Sequence, residues 1–496
     1  MEPEPPPSTP AVPVGGTALA RRARLGVVAL VSGNVMQQLT VLVGNVYLYR
    51  LLKLEHFGAF AIVQFALSFF ALFGDAGLGA ALIQREREPT QRELSSVWMV
   101  QLLLSAAIVS TVWIGAPYIV RFWPDMPESG VWLFRALSID FMLTAMRVVP
   151  VIQMERHLQF GRLSALEVGL SMGFFVTAVA FAWQGFGLMS LVFAVLVQGT
   201  VGLVGAYAMR PWRPSVVLDV DALRPLMRFG LSYQAKNVFG FLTNAVLPIY
   251  GGRVLGQRRV GLINWAQTTA YFPLQFVQII SRIGFPLYSR LQSDKKAFAE
   301  TLERAVQATA AVTHVCVGIF LGLGPSIIAV VFTDKWMPAL PLLYIYSVGI
   351  SVGFLTPVVM TALDATGRAG TTLRIAAFTA LAIWVSVPIA AHYRQEIGFA
   401  IAYVAMMIAS NALVVVIVRS IVPGARLWPR VRASILSSVV IAAAGRYVLS
   451  PHVHGPVTLV AAVIAVIVLF AGVVYVIDRQ GVRDALAFVR TKKQPA

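Results

Sequence analysis

The sequence predicts an all-α integral membrane protein of about 14 transmembrane helices, built as two parallel-repeat six-helix lobes plus two C-terminal helices. Three observations predict it. Of the 496 residues 58% are hydrophobic and only 12% are charged. That is about half the charge of a typical soluble domain, too little to cover a water-facing surface. Apolar runs long enough to cross a hydrocarbon core recur from Leu25 to Ile477, with short polar breaks between them. The chain also repeats itself at an offset of 203 residues between 34–64 and 237–267.

The spans fall, in order, at 25–49, 57–83, 94–120, 131–152, 164–184, 187–209, 226–251, 260–288, 302–332, 339–363, 370–391, 397–420, 431–450 and 456–477. Pro150, Pro248, Pro273, Pro286, Pro325, Pro357 and Pro388 lie within or near them. Proline is tolerated there because neighbouring helices or cavity water satisfy the carbonyls it frees. The expected division is a disordered cytoplasmic tail (1–20), a first lobe (21–210, spans 1–6), a linker (211–224), a second lobe (225–422, spans 7–12), two extra spans (423–478) and a cytoplasmic tail (479–496).

Net charge is +18. In a soluble protein this would suggest nucleic acid, but here the cations sit in the breaks. With the N-terminus inside, cytoplasmic segments and adjoining helix ends hold 29 of the 40 Lys and Arg, and outer segments hold nine. The bias predicts both termini in the cytoplasm, against the loop that carries Arg253, Arg258 and Arg259. A single cysteine, Cys316, excludes an internal disulfide and a cysteine metal site. There is no Walker loop, HExxH or His cluster, and no nucleophile–base set, so no enzyme, metal or cofactor is expected. His452 and His454 read as loop residues.

In the repeat, Asn34, Val35, Leu39, Thr40, Val43, Tyr47, Arg50, Leu52, Gly58 and Gln64 meet Asn237, Val238, Leu242, Thr243, Val246, Tyr250, Arg253, Leu255, Gly261 and Gln267. Six spans separate the copies, so both keep one orientation, as in a transporter built of two facing bundles.

Polar stripes mark candidate cavity walls, because such residues are costly against lipid. On the eighth span Asn264, Gln267, Tyr271, Gln275, Gln278 and Arg282 share an arc of about 80°, running about 27 Å, nearly the whole hydrocarbon core. Gln64, Ser68 and Asp75 mark the second span; Asn34, Gln38 and Asn45 the first; Lys236, Asn237 and Asn244 the seventh. The alternative is polar glue between packed helices. Lys236, Arg282, Arg135, Arg147, Arg50 and Arg253 are the candidate substrate-binding cations, suited to phosphate or carboxylate. Arg135, Arg50 and Arg253 could equally be interfacial anchors, and Arg147 could snorkel to the cytoplasmic interface. Asp75 and Asp140 are the candidate ion-coupling acids, for H+ or Na+.

The run Gly74-Asp75-Ala76-Gly77-Leu78-Gly79-Ala80-Ala81-Leu82-Ile83-Gln84-Arg85 resembles the signature of the polysaccharide transporter family, within the multidrug/oligosaccharidyl-lipid/polysaccharide exporter superfamily. Glu155–Phe160, Arg228–Leu231, Pro286–Gln292, Lys335–Leu343 and Ala365–Arg368 follow in matching order, so the resemblance covers about residues 25–450. It implies a bacterial inner-membrane flippase for undecaprenyl-pyrophosphate-linked oligosaccharide, serving exopolysaccharide, capsule or O-antigen synthesis by alternating access. It also implies membrane lipid and the lipid-linked glycan as ligands, polysaccharide polymerase and glycosyltransferases as partners, and a monomer. Family members often carry an acidic–basic pair where this chain has Leu247 and Pro248. Rival readings are a cation-coupled drug exporter of the same superfamily and a membrane polysaccharide polymerase or ligase.

Overall fold

A computed structural model describes residues 16–74, 78–79, 82, 87–126, 129–219, 223, 238, 240–422, 424, 426–479 and 481. Asp75, Lys236 and Asn237 lie outside the described residues, and of Arg282 the backbone is described but not the side chain.

The described chain is helical, with no strand. Helix α1 is Gly16–Leu51, α2 Leu54–Gly74, α3 Gln91–Val120, α4 Gly130–Arg156, α5 Phe160–Trp183 and α6 Met189–Met209. Helix α7 covers 240–255, its last part, Leu247–Leu255, wound as a π-helix. Helix α8 comes in two pieces, Gln257–Ala270 and Leu274–Leu291. Helix α9 is Lys295–Ile327 with a π-helical end, Ile328–Phe332, and α10 covers 334–365 in three short segments. One continuous run, Ala369–Ile421, breaks at Arg394 and Gln395, whose backbone is not helical, and so supplies α11 and α12. Helix α13 starts as Leu427–Ala444, and α14 is Pro456–Ile477. Among the described residues these overlap the 14 predicted spans in order; 226–237 of the seventh lies outside the described residues. Among the described residues ten helical stretches are long and apolar enough to cross a bilayer, and one of them holds both α11 and α12.

Prolines inside these helices show how the chain keeps its backbone satisfied in lipid. Pro150 has no N–H for the carbonyl four residues earlier. That carbonyl, Met146, accepts instead from Tyr207 Oη at 3.1 Å and Trp98 Nε1 at 3.3 Å. Pro117 likewise frees Trp113, whose carbonyl accepts from Arg135 Nε at 3.1 Å. An unmet carbonyl in hydrocarbon costs several kcal/mol, so each donor is part of the fold.

By Cα proximity the chain forms two compact units. Unit 1 takes Met1–Leu48, Phe73–Ile114 and Leu133–Ser232; unit 2 takes Tyr49–Leu72, Gly115–Trp132 and Tyr233–Ala496. In unit 1, Leu78, Leu82, Leu94, Val97, Val149 and Ile152 form one buried cluster. In unit 2 a buried cluster joins α8 to α13. The extra pair α13–α14 is fastened to α9. A Cβ on Gly322 would lie 2.9 Å from the Ala442 carbonyl, and Gly445 would meet Gly322 in turn. At its other end Glu303 of α9, nearly buried, accepts from the Arg426 N–H at 2.7 Å and from Arg430 Nε at 3.2 Å.

Candidate functional site

Two features of the described residues carry functional weight. The first is a clasp inside unit 2, formed where α1 and α7 end and α2 and α8 begin. It joins residues related by the 203-residue repeat. Gly58 of α2 lies against the Gln257 carbonyl, and its repeat mate Gly261 of α8 lies against the Leu54 carbonyl. Since 257 is the repeat mate of 54, the contact is reciprocal. A Cβ at either glycine would overlap the facing backbone.

The cations follow the same symmetry. The last carbonyls of a helix lack intrahelical donors and carry partial negative charge, so they attract cations. Arg50, closing α1, donates from Nε to the Val331 carbonyl at 2.7 Å and also to Val330, both at the end of α9. Its mate Arg253, in α7, donates to the Phe122 carbonyl at 2.9 Å just past α3, with its guanidinium 4.6 Å from the Phe122 ring centre. Trp336 Nε1 donates to the Tyr49 carbonyl at 2.9 Å, and Trp123 Nε1 donates to Pro248 at 2.8 Å. Lys335 Nζ donates to the Arg50 and Leu52 carbonyls at 2.7 and 2.8 Å. Tyr49, Phe57, Phe332, Trp265 and Trp336 pack as an aromatic box beneath, with neighbouring ring centres 4.7–5.7 Å apart. Sequence reasoning treated Arg50 and Arg253 as substrate cations or anchors and missed the tryptophans; the repeat was the available signal.

The second feature lies in unit 1, on the face that α4 presents to α6. Asp140 Oδ1 sits 2.5 Å from where a Cβ on Gly199 would be, and Arg147 Nη1 occupies the space a Cβ on Gly202 would need. Arg147 Nη2 also reaches Thr144 Oγ1 at 3.4 Å. Both glycines are buried. Asp140 and Arg147, seven residues apart on one helix, thus both lie against α6, whereas Arg135 of the same helix caps Trp113 and stacks on its ring at 5.8 Å.

The polar stripe of α8 does not run straight. The helix stops at Ala270 and restarts at Leu274, around Pro273. The 27 Å stripe expected of a straight helix is therefore broken in two. Above the break, Tyr271 bonds Met407 Sδ at 2.9 Å and packs edge-on to buried Tyr346. The Gln267 amide reaches the Tyr271 and Tyr403 hydroxyls. This half is a packed polar cluster. Below the break Gln275 and Gln278 are exposed. Asn264 is half-buried, as are Asn34, Gln38 and Asn45 on α1; Gln64, Ser68 and Asn244 are exposed. Ser68 and Asn244 bond back to their own helices, at Phe65 and Gly240. No group of three or more metal-ligating side chains occurs among the described residues.

Residues 47–341, more than half of the chain, match the sequence family described as Polysaccharide biosynthesis protein. The chain belongs to this family. Among curated relatives, the teichuronic acid biosynthesis protein TuaB of Bacillus subtilis (strain 168) is 26% identical over 55% of this chain and 57% of its own length. The succinoglycan biosynthesis transport protein ExoT of Rhizobium meliloti (strain 1021) is 26% identical over 62% of each chain. The lipopolysaccharide biosynthesis protein WzxC of Escherichia coli (strain K12) is 22% identical over 64% of each. Each match therefore spans less than two thirds of the relative's length. Among solved structures, the lipid II flippase MurJ in an inward closed conformation has a TM-score of 0.68 at 14% identity, over 91% of this chain and 98% of that one. An inward-facing multidrug resistance transporter of the MATE family has a TM-score of 0.59 at 15% identity, over 80% and 99%. At these identities the likeness establishes the fold alone, an all-α, multi-pass membrane fold.

Proposed function

We propose that this protein is a flippase that carries undecaprenyl-pyrophosphate-linked oligosaccharide from the cytoplasmic to the outer leaflet for polysaccharide synthesis. The observation that carries the reading is the clasp. Alternating access needs two repeated halves that meet at one end of the molecule and release there. The clasp joins the two halves at one end, through backbone contacts among repeat-related residues and through cation and indole contacts between α1 and α9–α10 and between α7 and the end of α3. By the positive-inside bias that end is the outer one, with both termini in the cytoplasm of a bacterial inner membrane.

In this reading the lobes are residues 21–210 and 225–422, and the protein acts as a monomer and a transporter, not an enzyme. Lys236 and Arg282 bind the pyrophosphate. Asp140, with Asp75, is the candidate for coupling to H+ or Na+. Polymerase and glycosyltransferases are the expected partners. The relatives' names in teichuronic acid, succinoglycan and lipopolysaccharide biosynthesis support a glycan cargo.

The test is reconstitution in proteoliposomes with a fluorescent lipid-linked oligosaccharide, scored by an outer-face lectin. Cysteines replace Leu51 and Lys335 in a Cys316→Ser background, and a cleavable bis-thiol reagent bridges them. Exposure of the glycan should stop on bridging and resume on reduction. Unchanged exposure while bridged would sink the clasp as a gate. Transport of a cationic dye without glycan exposure would favour the drug-exporter reading.

A further inference from the structure

A groove runs between α1 and α5 in unit 1, and neither the clasp nor the polar stripes use it. It encloses about 600 Å³, within the ~300–1,000 Å³ of small-molecule sites. Leu39, Val43 and Tyr47 of α1 line one side, and Phe175, Val176 and Trp183 of α5 the other. The helices touch where Gly33 lies against Ser164 and Gly44 against the Phe175 ring, which packs there on bare backbone. Apart from Phe175, these six side chains are exposed. From Leu39 to Tyr47 the wall runs about 12 Å along α1, at the rise of an α-helix.

The internal repeat supplies a comparison. Leu39 and Tyr47 are the mates of Leu242 and Tyr250 on α7. There the next-packed helix, α11, bridges both positions. Trp384 Nε1 donates to the Leu242 carbonyl at 2.8 Å, and the Tyr250 hydroxyl donates to the Pro388 carbonyl at 3.1 Å. In unit 1 the mates line open space instead. Among the described residues the Tyr47 hydroxyl and the Trp183 indole have no hydrogen-bond partner.

We infer that this groove holds the lipid chain of the cargo: the isoprene units nearest the pyrophosphate lie in it once the head group has reached the outer face. The choice of chain rests on the flippase reading. The lining excludes a polar ligand. Below Tyr47 the one hydroxyl on the walls is Thr40, and it donates to its own helix at the Met36 carbonyl, 3.0 Å away. A sugar or phosphate would lose its water there without gaining a partner. By the positive-inside bias α1 and α5 both run outward, which puts Tyr47 and Trp183 at the outer end, where aromatic side chains meet lipid head groups. A chain beneath them hangs from an outer-leaflet head group. Acyl chains of the bilayer compete for the same space. An isoprene unit carries a double bond and a methyl branch, so it gives up fewer rotors for the area it buries than a straight acyl chain does.

The test uses the full chain with Val176→Cys in a Cys316→Ser background, labelled with the fluorophore NBD. The protein is reconstituted in phosphatidylcholine vesicles that contain a phosphatidylcholine with a nitroxide on its acyl chain, which quenches the NBD. A small fraction of undecaprenyl pyrophosphate should relieve the quenching several-fold, and the same amount of unlabelled phosphatidylcholine should not. At Val204→Cys, exposed on α6 and not a wall of the groove, the two lipids should act alike. Val43 is exposed, so Val43→Trp plugs the groove from its open side and should abolish the relief; Leu39→Trp is a second plug, and thermal unfolding checks both. No relief at Val176, or equal relief at both positions, would mean that ordinary acyl chains fill the groove and overturns the assignment. Relief that survives a plug in a well-folded variant overturns it too. Glycan exposure without relief removes the groove and leaves the flippase; relief in a protein that exposes no glycan removes the flippase and leaves a site for a polyprenyl chain.

Discussion

Arg135 shows what a charged residue inside a span can be for. From sequence it is an expensive cation in lipid, readable equally as a substrate ligand or an interfacial anchor. In the structure it donates to the Trp113 carbonyl that Pro117 leaves unmet. Replacing it with leucine leaves that carbonyl without this donor, so thermal unfolding in detergent should show a loss of about 1–3 kcal/mol. Pro117→Ala in the same background should recover part of it by restoring the helical bond. Thr333 is a second case. It ends the π-helical turn of α9 with φ at +83°, a conformation that favours glycine. Gly256 ends the π-helical turn of α7 with φ at +81°. Thr333→Gly should therefore raise the melting temperature, by relief of about 1 kcal/mol of strain. The prolines and the cations were legible in the sequence. Which cation met which carbonyl was not, since donor and acceptor lie on different helices.

Among elements, helix existence was the most legible feature, because apolar run length follows from bilayer thickness. Helix continuity was less so. Pro273 was visible within the eighth span, yet a 100° periodicity assumes an unbroken helix. The break sends Gln267 and Tyr271 into a tyrosine cluster with Tyr346 and Tyr403 and leaves Gln275 and Gln278 exposed. The start of α2 against the start of α8 shows the value of the repeat: Gly58 and Gly261 aligned in sequence before their roles were known. Valine at either position would force the two helix starts apart. Labelling of Lys335→Cys in the Cys316→Ser background by a membrane-impermeant maleimide should then rise several-fold over the parent. An unchanged rate would mean that the clasp does not depend on backbone approach.

For the whole molecule, the compact units do not follow the predicted lobes along the chain. Residues 49–72 and 115–132 group with unit 2, although they precede the linker in sequence. The two C-terminal helices, outside the repeat, are held to α9 through Gly322, Gly445 and the Glu303 carboxylate. Removing everything after Val422 would take Arg426 and Arg430 away from Glu303 and leave a nearly buried carboxylate with neither donor. The truncated protein should unfold at a lower temperature than the full chain, and Glu303→Gln should restore part of the loss in the truncated protein while destabilising the full-length one. A like response in both would mean that Glu303 does not fasten α13.

By itself the sequence determined the membrane class, the number and order of the spans and the internal repeat. These depend on composition, on run length and on residues matched in register, all properties of one chain read in line. Its resemblance to polysaccharide transporters agreed with the family to which the chain belongs. Tertiary structure decided the use of each polar residue. In a bilayer a buried cation is stabilised by whichever carbonyl or acid lies across the helix boundary, and that neighbour is set by packing. Arg50, Arg135 and Arg253 therefore cap main-chain carbonyls, while Asp140 and Arg147 each pack over a glycine of α6.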